Sequence, residues 1–160
     1  MGRRILTTSA AVAALLAPLV EISGQTAQDV TRDTILAAGR EWQEKHDQYQ
    51  PEADMVEALK ARAGSDMRID VYLGLWCKDS RNNVPLFIKI LDRLGGSVPV
   101  RYISVTRKAN KEIKYFVEDL KIDRVPTFVF YRGGKEIGRI IENPKAGMLE
   151  DLMEIVFKEN

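Results

Sequence analysis

Residues 69–80 read Ile69-Asp70-Val71-Tyr72-Leu73-Gly74-Leu75-Trp76-Cys77-Lys78-Asp79-Ser80. The first seven form a short apolar run, β-branched and aromatic, with the composition of a buried strand. Beyond the cysteine the pattern changes: Val84, Phe87, Ile88, Leu91 and Leu94 recur at the spacing of one apolar helix face. Cys77 therefore marks a strand-to-helix junction. A residue in that place meets free N–H groups and the positive end of the helix dipole, an environment that favours a thiolate. Cys77 is also the only cysteine of the chain.

Working outward, Gly95-Gly96 is a glycine signal for the end of that helix, and Val98 to Ser104 alternates as a strand. Lys108 to Leu120 places Ile113, Phe116, Val117 and Leu120 on one helical face. Thr127 to Tyr131, Gly133-Gly134 and Glu136 to Ile141 predict a hairpin. Asn143-Pro144 predicts the cap and first position of a helix over Lys145 to Phe157, with Leu149, Leu152, Met153 and Val156 inward. Upstream, Gln28 to Gln50 is polar with a helical pattern through Ile35, Leu36, Trp42 and Tyr49, capped by Thr31 or Asp33 and ended by Pro51. Trp42 and Tyr49 either dock on the sheet or stay partly exposed. Met55, Val56, Leu59 and Ala63 predict a second helix before Gly64.

Four markers in this order resemble the thioredoxin family, whose site is Trp-Cys-x-x-Cys at the start of a helix that follows a central strand. Trp76-Cys77-Lys78-Asp79-Ser80 keeps the first cysteine and has serine at the second. Pro85 stands eight residues after Cys77, where the family has a helix-kinking proline. Val125-Pro126-Thr127 followed by Phe128-Val129-Phe130 is similar to the family's cis-proline loop and strand, and Gly134, eight residues on, matches a turn glycine. The resemblance spans Met67 to the C-terminus. It implies a thioredoxin-like α/β fold, a three-layer sandwich with a central mixed sheet flanked by helices, here with an N-terminal helical extension over 28–66 and a core over 67–160.

It also implies a site. Cys77 would be the nucleophile, Trp76 would shield one side of the thiol, and Val125 with Pro126 would dock a partner strand by backbone pairing. Lys78 and Arg81 lie near the thiol and favour its thiolate, Asp79 opposes it, and Asp79 also suits the first turn of a helix. Ser80 occupies the resolving position. A hydroxyl is too weak a nucleophile toward sulfur to release a mixed disulfide, so release would need an external thiol. Two positions depart from the family. The buried acid six residues before the cysteine is Val71 here, and Asp70 is one residue off, on the opposite face of the strand. The groove-lining glycine sixteen residues after the cis-proline is Glu142.

At 160 residues and 45% apolar content, the chain suits one domain. Net charge is +1, and Arg3, Arg4 and Glu21 account for it, leaving the rest formally neutral. That balance points to no nucleic-acid or anionic-membrane partner. Residues 1–27 have the layout of a secretory signal: Arg3-Arg4, an uncharged run from Ile5 to Val20, then small residues up to Ala27. The run is short for a membrane span, which needs about 20 residues. An exported protein, periplasmic or extracellular, is expected, with an uncleaved anchor as the alternative. His46, in a charged helix, is expected to be a solvated surface residue. With one Cys and one His, no metal site and no cofactor are expected. The function expected is thiol–disulfide exchange through Cys77 with protein disulfides or thiols, or with glutathione-type thiols. The alternative is a redox-inactive binding module on the same fold.

Overall fold

The structure, a computed structural model, describes residues 21–22, 25–64, 66–105 and 121–158. Its strands are β1 (Glu21–Ile22), β2 (Gln25–Val30), β3 (Met67–Leu73), β4 (Val100–Val105), β5 (Thr127–Arg132) and β6 (Lys135–Ile141). Its helices are α1 (Arg32–Leu36), α2 (Arg40–Gln48), α3 (Ala53–Arg62), α4 (Lys78–Leu94) and α5 (Met148–Phe157). The strands form one mixed sheet in the order β1-β2-β4-β3-β5-β6. β3 runs parallel to β4 and antiparallel to β5, so the strand that precedes Cys77 is held on both sides. The protein is a thioredoxin-like α/β sandwich.

Strand periodicity divides the core. Met67, Ile69, Val71 and Leu73 of β3 join Phe128 and Phe130 of β5 and the apolar faces of all five helices in one cluster. Phe87 of α4 sits at its centre, with its ring centroid 4.9 Å from Phe128 and 6.3 Å from Phe130. This anchors the helix that carries the cysteine. Truncating such a ring to alanine costs about 3–5 kcal/mol. The other face of the sheet carries a second cluster, Tyr72, Ile103, Val105, Ile122, Val125, Val129 and Tyr131, against which Cys77 packs. The helix expected over Lys108 to Leu120 lies outside the described residues.

Most elements fall where the sequence places them, and three corrections follow. The polar segment from Gln28 does not begin as a helix, because Gln25–Val30 pairs antiparallel with β4, from Ala27 opposite Val105 to Val30 opposite Tyr102. The helical part then breaks in two at Gly39, the N-cap of α2. Thr31 does cap α1, accepting from the Thr34 N–H at 3.1 Å. At the other end, α5 starts at Met148 rather than Lys145. The Asn143 Oδ1 accepts from Asn83 Nδ2 at 2.8 Å and so does not cap the helix, while the Asp151 carboxylate takes the N–H groups of Lys145 and Ala146. α4 ends as expected on left-handed Gly95, with φ 69°.

Candidate active site

Cys77 is the N-cap of α4: its carbonyl accepts from Arg81 N at 3.1 Å, and its own N–H donates to Gly74 O at 2.9 Å. Its thiol, partly exposed, donates to the carbonyl of Val125 at 3.2 Å. Strand end, helix start and the loop before β5 therefore meet at one sulfur. Ser80, one turn into α4, has no solvent exposure, and its Oγ accepts the Gly74 N–H at 3.1 Å. The serine thus holds the turn that presents the cysteine. Gly74 is required at that turn, since a Cβ there would lie 2.7 Å from Trp76 Cε2. The indole lies across Gly74 and donates from Nε1 to Val105 O at 3.0 Å, yet Trp76 stays 42% exposed.

The second half of the site is the loop before β5. The Val125–Pro126 peptide is cis, and both residues are buried. Thr127 Oγ1 donates to Arg124 O at 2.7 Å, closing the loop on itself. Glu142, which follows β6, has φ 59°, a left-handed backbone for which glycine is the ordinary occupant. The structure fixes it there from both sides. Its N–H donates to Pro126 O at 2.7 Å, and its carbonyl accepts from the buried Asn83 of α4 at 2.9 Å. Its carboxylate accepts from Arg124 Nη1 at 2.7 Å.

A thioredoxin family model matches residues 24–154, most of the chain and the whole of this arrangement. The chain belongs to the thioredoxin family. Among solved structures, a protein of unknown function from Pseudomonas aeruginosa superposes with a TM-score of 0.54 at 20% identity, over 77% of this chain and 84% of that one. At that identity the likeness concerns the fold. Thioredoxin f2 from Chlamydomonas reinhardtii aligns over 56% of this chain and 79% of its own, with 19% identity and a TM-score of 0.36. No curated protein matches the sequence.

In this thioredoxin-family chain the charges around Cys77 are distributed differently from the sequence expectation. Arg81 Nε is ion-paired with Glu41 of α2 at 2.8 Å, so its charge serves the α2–α4 contact. Lys78 is exposed at the first position of α4, lining a cleft toward α2, and Asp79 is half-buried in the first turn. Val71 lies in the main core, and Asp70 lies on the other side of the strand, as the one-residue offset requires. Asp70 is only 3% exposed, and its Oδ1 has no hydrogen-bond partner among the described residues. Burial raises its pKa, with Arg68 and Arg101 offsetting only part of the effect. On the same face, burial pushes the Tyr72 phenol up to about 12, so it stays protonated at neutral pH.

His46 is a correction. It is 6% exposed rather than solvated, because α2 packs its ring against α4, with Nε2 2.8 Å from Asp92 Oδ2 and Nδ1 2.9 Å from Asp47 Oδ1. Among the described residues no group of His, Cys, Asp and Glu side chains is arranged to hold a metal ion. Sequence reasoning also missed Asn83 and Gly74. Asn83 reaches a carbonyl 59 positions away, and no local pattern carries such a pairing. Gly74 did carry a signal, since an isolated glycine closing an apolar strand marks a close approach.

Proposed function

We propose that the protein is an exported, single-cysteine thiol–disulfide exchange protein. Cys77 is the nucleophile, and the loop carrying Val125 and Pro126 docks the partner. The observation that carries the reading is the meeting of the thiol with the Val125 carbonyl at 3.2 Å, which sets the reactive sulfur on the edge where a partner's backbone would lie. In the first step the S–H proton now donated to Val125 O leaves to solvent. The Cys77 thiolate attacks one sulfur of a partner disulfide, forming a Cys77–partner bond as the partner's other sulfur departs as a thiolate. An external thiol then attacks the mixed disulfide and frees Cys77. Ser80 takes no part in release. It is buried and already accepts the Gly74 N–H.

Export is part of this proposal. The uncharged run from Ile5 to Val20 supports it, and an unpaired thiol would there meet oxidised partners. Partners are protein disulfides or glutathione-type adducts.

Dithiol-driven insulin reduction tests the scheme. The wild-type protein, released only by the external dithiol, should turn over slowly and in proportion to the dithiol, and Ser80→Cys should turn over faster, since it adds an internal resolving thiol. Robust wild-type turnover would show that release does not depend on the residue at position 80.

A further inference from the structure

Among the described residues, only two non-glycine residues have a positive φ, Lys121 at 45° and Glu142 at 59°. Both line the same surface cleft of about 350 Å³, together with Asp123, Arg124, Thr127 and Ile141. Left-handed backbone in non-glycine residues is costly and clusters at ligand clamps. The cleft lies against the proposed docking loop, since Arg124 directly precedes Val125 and the Glu142 N–H is bonded to Pro126 O. With its amide on Pro126 and its carbonyl on Asn83, the Glu142 backbone is fixed. The side chains are what a partner would meet.

The four ionisable side chains, Lys121, Asp123, Arg124 and Glu142, sum to zero formal charge, so selectivity depends on which of them a partner can reach. Arg124 is the more open member of the central pair, its side chain 64% exposed against 34% for Glu142. A guanidinium has five N–H donors in a planar fork, and Glu142 takes one of them at 2.7 Å. Arg124 can therefore accept a second carboxylate without releasing the first. Within that pair the Glu142 carboxylate is the less exposed group and already engaged, so it is less open to a partner ammonium than Arg124 is to a carboxylate, and a Lys-flanked peptide measures the pull of the remaining carboxylate, Asp123.

We propose that this cleft is a specificity subsite for an acidic side chain of the partner segment, with Arg124 as the recognising cation and Glu142 as the residue that positions it. The proposal rests on the reading that partners approach Cys77 along Val125. The residue that departs from the family's glycine at the groove border thus acquires a role. It replaces an open backbone edge with a fixed, charged rim.

The test uses three nine-residue peptides with one central cysteine flanked by two Glu, two Gln or two Lys. As mixed disulfides with 5-thio-2-nitrobenzoate they report attack by Cys77, which forms the Cys77–peptide bond and releases the coloured thiolate. As S-methylated peptides they report binding to the same protein by chemical-shift titration, independently of thiol chemistry. The acidic peptide should react faster and bind tighter than the Gln peptide by about fivefold, the scale of one partly exposed charged contact. Arg124→Gln should abolish that preference, Arg124→Lys should keep part of it, and the distant Arg93→Gln should keep all of it. An acidic preference in binding alone, lost in Arg124→Gln, would support the subsite even if Cys77 proved unreactive and the exchange reading failed. Equal behaviour of the three peptides, preference for the Lys peptide, or an acidic preference that survives Arg124→Gln overturns the proposal.

Discussion

At residue scale, the Leu75–Trp76 turn is set by an exchange of space between Gly74 and the Trp76 indole. A methyl group on residue 74 would meet Cε2 at 2.7 Å and two further ring atoms at 3.0 Å, and a ring bonded to Val105 O cannot give way without losing that bond. Gly74→Ala should therefore lower stability by about 1–3 kcal/mol, as overpacking at a closed site does. Chemical denaturation checks the loss, and Trp76 emission should shift as the indole leaves Val105. An unchanged midpoint and spectrum would mean that the indole has somewhere else to go. Ser80 shows how far such details were legible. Its place in a Trp-Cys-x-x-Ser motif was plain, and its inability to resolve a disulfide followed from oxygen chemistry alone. Its bond to the Gly74 N–H was not readable, because the direction of that backbone group exists only once the turn has formed.

At the scale of elements, α4 is the member that the others clasp. Asp92, near its C-terminal end, accepts from Arg32 Nε at 2.9 Å and Nη2 at 2.6 Å, and faces His46 Nε2 at 2.8 Å, tying α1 and α2 to α4. Partial burial pushes the Asp92 carboxyl up, but the bonds from Arg32 and His46 outweigh it and hold the group below the usual carboxylate range. Its contribution is thus complete above the unfolded-state pKa of about 4 and is lost as pH falls through the lower folded value. Asp92→Asn should cost about 1–2 kcal/mol at pH 7, and the gap from wild type should narrow as pH falls below the unfolded-state value and through the lowered folded one. Denaturant unfolding of both proteins across that range decides it, and a gap that stays constant in acid would assign the loss to packing. Asp70 has the opposite sign. Its pKa is raised by burial, so its ionisation opposes folding as pH rises through the unfolded value. The clasp was hidden in the sequence, because His46 and Asp92 lie 46 positions apart and each looks like a surface residue on its own helix. β2 was hidden for a different reason. A short polar strand, Gln-Thr-Ala-Gln-Asp-Val, offers no clear alternation, and only its pairing with β1 and β4 defines it.

At the scale of the molecule, the order of the described strands and helices from Met67 onward was legible because apolar periodicity, glycine stops and the Val125-Pro126 loop agree with one another. The N-terminal boundary was less so. β1 and the first residues of β2 fall within the segment expected to be removed on export, so processing at Ala27 would cut β2. Processing before Gln25 leaves that strand whole, and intact mass of the protein recovered from its native compartment should show a new N-terminus there; a full-length mass would favour the anchored form. The exchange chemistry proposed for the site depends on Cys77 being a working nucleophile with no internal partner to release it. Intact-mass spectrometry of the wild-type protein after incubation with a peptide disulfide tests this most directly. The prediction is a one-to-one mixed disulfide that persists until an external thiol is added, is absent in Cys77→Ser, and in Ser80→Cys resolves unaided to an internal disulfide with release of the peptide thiol. No adduct on the wild-type protein, under conditions where a small free thiol is converted, would contradict the account.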